Sequence, residues 1–327
     1  MRDHGGNLDA AIARHGGEGW IDLSTGINRR PYPVPPLPDA VWHGLPTAQA
    51  QHELVAAAAQ AWGAAPQLAG LALGGAQAAI QLVPHLWPET GRACVLAPSY
   101  NEHAACLRAA GWDVHDSASL GDMAGADLAV LVNPNNPDGR CWPAKAVLEL
   151  AQNVGFLVVD ESFADTTPDL SVLPHDTAPD NLLVLRSFGK FYGLAGLRLG
   201  FAFGARPVIA RLAEMAGPWP ISGAAIAIGC HALADKPWAD AMRRQLLIDA
   251  DRADQLLRQA GWNCIGGTSL FRLYDTPDAQ AARDHLAQHQ IWSRIFPYSR
   301  HWLRLGLPGP EAEWNRLESA LPIPQAG

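Results

Sequence analysis

Between residues 93 and 203 the chain repeats one pattern, a short apolar run followed by a polar or helical stretch. Residues 93–97, 128–132, 156–159, 182–185 and 199–203 read as strands, and 102–110 and 144–154 as helices. Apolar runs this short, without alternation, suit strands buried on both faces. The pattern predicts an α/β protein with a mostly parallel sheet sandwiched by helices. Ligands of such sheets bind beyond the carboxyl ends of the strands. Polar residues collect there: Tyr100 after the first run, Asn133 to Asn136 after the second, Asp160 after the third, Ser187 and Lys190 after the fourth.

Lys190 stands out because the chain has only three lysines, Lys145, Lys190 and Lys236, among 24 basic residues. Arginine keeps its proton, whereas a desolvated lysine can lose it and attack a carbonyl. Ser187 lies three residues before it, and a glycine-rich turn leads on to Arg198. Further upstream, Gly74-Gly75-Ala76-Gln77 follows a short apolar run and opens a helix. Free N–H groups and the helix dipole at such a start suit a phosphate, although the same pair of glycines equally makes a plain tight turn.

The chain of 327 residues is long enough for a large domain with a smaller partner. Residues 1–40 read as an N-terminal arm contributing to the small domain and the active-site entrance, because Pro31, Pro33, Pro35, Pro36 and Pro38 forbid regular helix there. Residues 41–235 form the expected large domain. Residues 236–327, with helix 238–260 and strand candidates 270–274 and 302–307, form a small α+β domain. A net charge of -8 and no basic cluster beyond Arg29-Arg30 argue against nucleic acid. The five scattered cysteines lack metal-binding spacing and read as reduced thiols. Met1 to Gly6 leads into no apolar run, and no segment is long enough for a membrane span, so a cytoplasmic protein is expected.

In order and spacing these motifs resemble the fold type I pyridoxal-phosphate enzymes of the class I and II aminotransferase superfamily. The resemblance implies a large domain built like that of aspartate aminotransferase, with pyridoxal 5'-phosphate as cofactor. Lys190 in Ser-Phe-Gly-Lys would join the cofactor aldehyde, and Ser187, Arg198, Gly75, Ala76 and Gln77 would hold its phosphate. Asp160 in Val-Val-Asp-Glu-Ser would face the pyridine nitrogen and keep it protonated. Asn136 in Asn-Pro-Asn-Asn-Pro-Asp-Gly would donate to the ring hydroxyl, Tyr100 would stack on the ring, and Arg304 in Trp-Leu-Arg-Leu-Gly would grip a substrate anion. Taken singly, Asp160 reads as well as a helix cap, Asn136 as a turn residue, and Arg198 and Arg304 as surface residues.

The peripheral stretches His4 to Leu8, Asp22 to Asn28 and Gly217 to Gly223 look like the threonine-phosphate decarboxylases, relatives of histidinol-phosphate aminotransferase. That likeness implies decarboxylation of L-threonine O-3-phosphate to (R)-1-amino-2-propanol phosphate in cobalamin biosynthesis. The alternative is a histidinol-phosphate-type transaminase using 2-oxoglutarate. A regulator without turnover is a third reading, but no appended helix-turn-helix is visible. Asn28 and His4 are further substrate-binding candidates beside Arg304. Phe163 and Leu45 stand where many aminotransferases carry tyrosines, one reaching the ring oxygen and the other the phosphate in the neighbouring subunit. The resemblance also implies a homodimer. No metal is expected.

Overall fold

The computed structural model describes residues 4–321. They form two compact units, the smaller drawn from the described parts of residues 1–31, 137–139 and 240–327, the larger from 32–136 and 140–239.

The smaller unit begins with α1 (Leu8–His15), whose N-cap Asn7 side chain accepts the Ala10 N–H. The arm is therefore more ordered than its proline content suggests. The prolines begin only at Pro31, and upstream of them β1 (Ile21–Asp22), Leu23, Ser24 and Asn28 are buried or nearly so. Gly6 N–H donates to Ser24 Oγ at 2.7 Å. A Cβ on Gly5 would sit 2.4 Å from the Ser24 carbonyl oxygen, so only glycine lets the chain pass there.

The larger unit opens with α2 (Ala40–His43) and α3 (Ala48–Trp62). Thr47 caps α3 by accepting the Ala50 N–H, and Gly63 at φ 63° ends it. There follow β2 (Ala69–Leu73), α4 (Ala76–Leu82), β3 (Arg92–Leu96), α5 (Asn101–Ala109), β4 (Asp113–Ser117) and β5 (Leu128–Val132). Then come α6 (Ala144–Ala151), β6 (Phe156–Asp160), β7 (Leu182–Ser187), α7 (Phe188–Phe191), β8 (Gly200–Gly204), α8 (Arg206–Ala216) and α9 (Gly223–Ala234). The sheet order is β2-β8-β7-β6-β5-β3-β4. Strands β3 to β7 are parallel, and β8 runs antiparallel to both its neighbours. β4 was invisible to hydrophobic pattern because Asp-Val-His-Asp-Ser carries little apolar surface; pairing with β3 at the sheet edge makes it a strand.

α10 (Lys236–Gln259) leads back to the smaller unit. There β9 (Asn263–Thr268), β10 (Phe271–Asp275), α11 (Ala279–Gln288), β11 (Ile291–Trp292), β12 (Arg294–Phe296), β13 (Ser299–Gly306) and α12 (Glu311–Ala320) complete the chain. β12-β13-β10-β9 form an antiparallel sheet, and β11 pairs in parallel with β1. Among the described residues no helix is long and apolar enough to cross a membrane.

In the larger unit, Leu54 of α3 is fully buried and lies against Gly229 of α9, where a Cβ would come within 2.7 Å of Leu54 Cδ1. Leu54→Ala should cost about 2–5 kcal/mol through lost transfer energy and a residual cavity. Urea denaturation checks this, and an unchanged midpoint would contradict the packing described.

Candidate active site

β6 ends on Asp160, which lies beside Val132 of β5 and Leu185 of β7 in the parallel register. Its carboxylate is buried. His103 Nε2 donates to Oδ2 at 2.9 Å, and the Ser162 N–H and hydroxyl both reach Oδ1. Burial alone would raise this carboxyl's pKa. The bonds and charge of His103, with those from Ser162, outweigh it and hold Asp160 below the usual carboxylate range. His103 is a residue that sequence reasoning missed. It sits one helical turn from Tyr100, and its ring stands edge-on to Tyr100 with centroids 6.1 Å apart.

Tyr100 is tied in turn to α4. Its hydroxyl donates to Gln77 Oε1 at 3.1 Å, and Gln77 Nε2 donates to Glu102 Oε2 at 3.2 Å. Burial, joined by the negative charges of Glu102 and Asp160, pushes the Tyr100 phenol up to about 12. Tyr100 therefore stays neutral and presents a ring fixed by its hydroxyl. The Gln77 amide engages Tyr100 and Glu102.

The start of α4 is built by close approach. Gly75, at φ 86°, is its N-cap, and a Cβ there would lie 2.8 Å from Arg198 Nη2. Gly200 opens β8, where a Cβ would stand 2.3 Å from the Ala76 nitrogen. Two glycines thus let the Arg198 guanidinium and β8 close on the first N–H groups of the helix. Arg198 itself takes a left-handed conformation (φ 55°, ψ 50°), and its Nη1 donates to the Ala195 carbonyl. Ser187 pairs with Gly200 across β7 and β8, and its side chain makes no capping bond to α7. Gly75, Ala76, Ser187 and Arg198 are thereby gathered at one place.

Lys190 lies half-buried in α7, with Nζ 5.7 Å from the centroid of the buried Phe163 ring. Asn136 opens a turn just after a braced segment that follows β5. Asn133 Nδ2 donates to the Trp142 carbonyl and its Oδ1 accepts the Trp142 N–H; Asn135 Nδ2 donates to the Pro98 carbonyl and its Oδ1 accepts the Ser99 hydroxyl. Asn136 itself is half-exposed.

The remaining candidates belong to the smaller unit. Arg304 of β13 is 6 % exposed and donates from Nη2 to the Ser24 carbonyl at 2.6 Å. Directly opposite it across the strand pair stands Arg294 of β12. Burial, and then the charge of Arg294, lowers Arg304 to about 10; Tyr298 and Asp22 act the other way. Like charges directly opposed across a sheet repel. Arg294, which the sequence reading did not single out, thus brings a second cation beside Arg304. Asn28 is buried, with Oδ1 accepting the Arg30 N–H at 2.9 Å. His4 is exposed, two residues before Gly6.

A family model described as aminotransferase class I and II matches residues 39–321, and the chain belongs to that family. Two threonine-phosphate decarboxylases, from a Sinorhizobium species and from Pseudomonas aeruginosa, are each 41% identical to it. The first alignment covers 97% of both chains, the second 98% of this chain and 97% of the relative. A crystal structure of histidinol-phosphate aminotransferase from Sinorhizobium meliloti in complex with pyridoxal-5'-phosphate has the same fold. It superposes with a TM-score of 0.79 at 23% identity, covering 96% of this chain and 93% of that one.

A carboxyl whose native pKa is depressed stabilises the fold above its unfolded value of about 3.9. That contribution is lost as pH falls through the lower, native value. Asp160→Asn should therefore flatten the acid limb of the stability curve, measured by urea denaturation from about pH 7 to about pH 3. Parallel acid limbs in the two proteins would contradict this role.

Proposed function

We propose that this chain is a pyridoxal-phosphate-dependent carboxy-lyase that decarboxylates L-threonine O-3-phosphate to (R)-1-amino-2-propanol phosphate, a step of cobalamin biosynthesis. The observation that carries the substrate class is Arg294 opposite the buried Arg304. Two arginines on opposed strand positions suit a substrate with two anionic groups, a carboxylate and a phosphate. The two full-length relatives carry the choice of reaction over transamination.

The residues of the larger unit fit the cofactor. The Arg198 guanidinium packed against Gly75 is a cation suited to a phosphate, which Ser187 and the backbone N–H groups of Ala76 and Gln77 would help to hold. Asp160, ionised by His103 and Ser162, would face the pyridine nitrogen. Tyr100 would lie against the ring, Asn136 would donate to its hydroxyl oxygen, and Lys190 would carry the group through its amine. Phe163 offers no hydroxyl there, so that ring oxygen would depend on Asn136. When bound, pyridoxal phosphate supplies an electron sink for the pair left behind as the carboxylate departs.

The protein's own part is orientation and proton transfer. Arg304 and Arg294 hold the substrate anions, with Asn28 and His4 as further polar contacts from the arm. They decide which bond at the α-carbon is aligned to break. When the Cα–carboxylate bond breaks, carbon dioxide leaves, and Lys190 Nζ gives the α-carbon the proton that takes its place. The group at 160 never needs to move a proton; it stays charged. We also propose a cytoplasmic homodimer. Trp42, Leu45 and Trp219 are each more than half exposed in the larger unit, and Trp219 and Pro46 line an apolar groove of about 630 Å³ that a second copy would cover.

The cofactor-loaded protein incubated with L-threonine O-3-phosphate should release carbon dioxide with no 2-oxo acid present. Formation of glutamate only on adding 2-oxoglutarate would indicate the transaminase instead. Lys190→Ala should lower turnover by at least about 100-fold. Arg294→Gln should raise KM for the phosphorylated substrate by about tenfold or more, the worth of one charge-assisted contact. An unchanged KM would remove Arg294 from the anion site.

A further inference from the structure

Directly behind the residues assigned to the cofactor lies a second set of charges. Glu161 follows Asp160, and Arg186 precedes Ser187. Successive strand residues point to opposite faces, so this pair is turned away from the cofactor side. Arg186 Nη1 donates to Glu161 Oε2 and Nη2 to Asp165 Oδ1, each at 2.9 Å. All three groups are almost wholly buried. The guanidinium lies over the Trp62 ring at 4.6 Å, and Trp62 Nε1 donates to Asp165 Oδ1 at 2.7 Å. Glu161 also accepts the Ser171 hydroxyl and the Val172 N–H. Burial lowers the proton affinity of Arg186, but the charges of Asp165 and Glu161 more than restore it.

A buried ion cluster is a poor device for stability alone, because apolar residues of similar volume often do as well. What it does supply is geometry. The arginine fork ties the end of β7 to the residue after β6, and Trp62 ties both to α3. The Glu161 N–H donates to the Leu185 carbonyl at 2.9 Å, so the two strand ends are coupled through backbone as well. A shift of either end would carry Asp160 or Ser187 with it, and Lys190 lies one short turn beyond Ser187.

We propose that Arg186, Glu161, Asp165 and Trp62 form a positioning cluster that sets the registration of Asp160 against Ser187 and Lys190. None of the four is a catalytic residue; each acts through its neighbour on the strand. The inference rests on the reading of Asp160, Ser187 and Lys190 as the cofactor site.

The test compares parent, Arg186→Lys and Trp62→Phe proteins by titrating each apoprotein with pyridoxal phosphate. It also follows the visible band of the loaded proteins against pH and the Tm of the apoproteins. Lysine keeps the charge but cannot fork to both carboxylates. Its dissociation constant for pyridoxal phosphate should rise about tenfold or more, and the midpoint of the band should shift by at least about half a pH unit. Trp62→Phe loosens one bond without leaving an unpaired charge, and should raise the constant about threefold with a shift of the same sign. If the folded variants bind with the parental constant and midpoint, whatever their Tm, the cluster is a stability element and the proposal fails. If Arg186→Lys does not fold, Trp62→Phe decides alone by the same criterion. A parent that binds no pyridoxal phosphate would overturn the cofactor reading instead, which is a separate result.

Discussion

Asp160 is an ion kept where water does not reach, and much of the larger unit follows from the cost of keeping it charged. A bare buried carboxylate would take up a proton. Here His103 and Ser162 supply the donors that prevent it. Those donors come from places the fold must hold still: α5, and the first residues after β6. Tyr100, the residue before α5, is fixed through Gln77 of α4, which Glu102 of α5 holds in turn. One carboxylate therefore ties α5 to the end of the central sheet, and the edge of the His103 ring brings Tyr100 and its bonds to α4 alongside.

The other end of the site obeys a different constraint, space rather than charge. A guanidinium and a strand can close on the start of α4 only where no Cβ intervenes. Gly75 and Gly200 remove the two Cβ atoms that would crowd Ala76 and the Arg198 guanidinium. In the proposed function the cationic start of α4, the Asp160 carboxylate and the half-buried Lys190 would meet the phosphate, the ring nitrogen and the aldehyde of the cofactor.

The smaller unit carries its own imbalance. Arg304 is buried, faces Arg294 across the strand pair, and is lowered to about 10. Strand pairing sets the two cations opposite each other, and in the proposed function a dianionic substrate would meet both. The arm contributes by shape, since Gly5 lies on the Ser24 carbonyl that Arg304 also binds.

Much of this was legible in the chain itself. Uninterrupted apolar runs identified β5, β6 and β7 within a residue or two, because strands buried on both faces need no alternation. The spacing of Ser187, Lys190 and Arg198, with Asp160 and Asn136 after their strands, was readable as a motif set, and folding places Ser187, Arg198 and the start of α4 together. Other features had no local signal. β4 exists only through pairing with β3, and α1 was hidden by the prolines that follow it. His103 became a partner of Asp160, and Arg294 of Arg304, only when folding brought together residues 57 positions apart in one case and neighbouring strands in the other. The sequence by itself determined which chemical groups are available and which segments must be strands, since both depend on residue type and near-neighbour pattern. Tertiary structure alone decided which charges meet and which are deprived of water, because Coulomb energy and burial depend on distance in space and not along the chain.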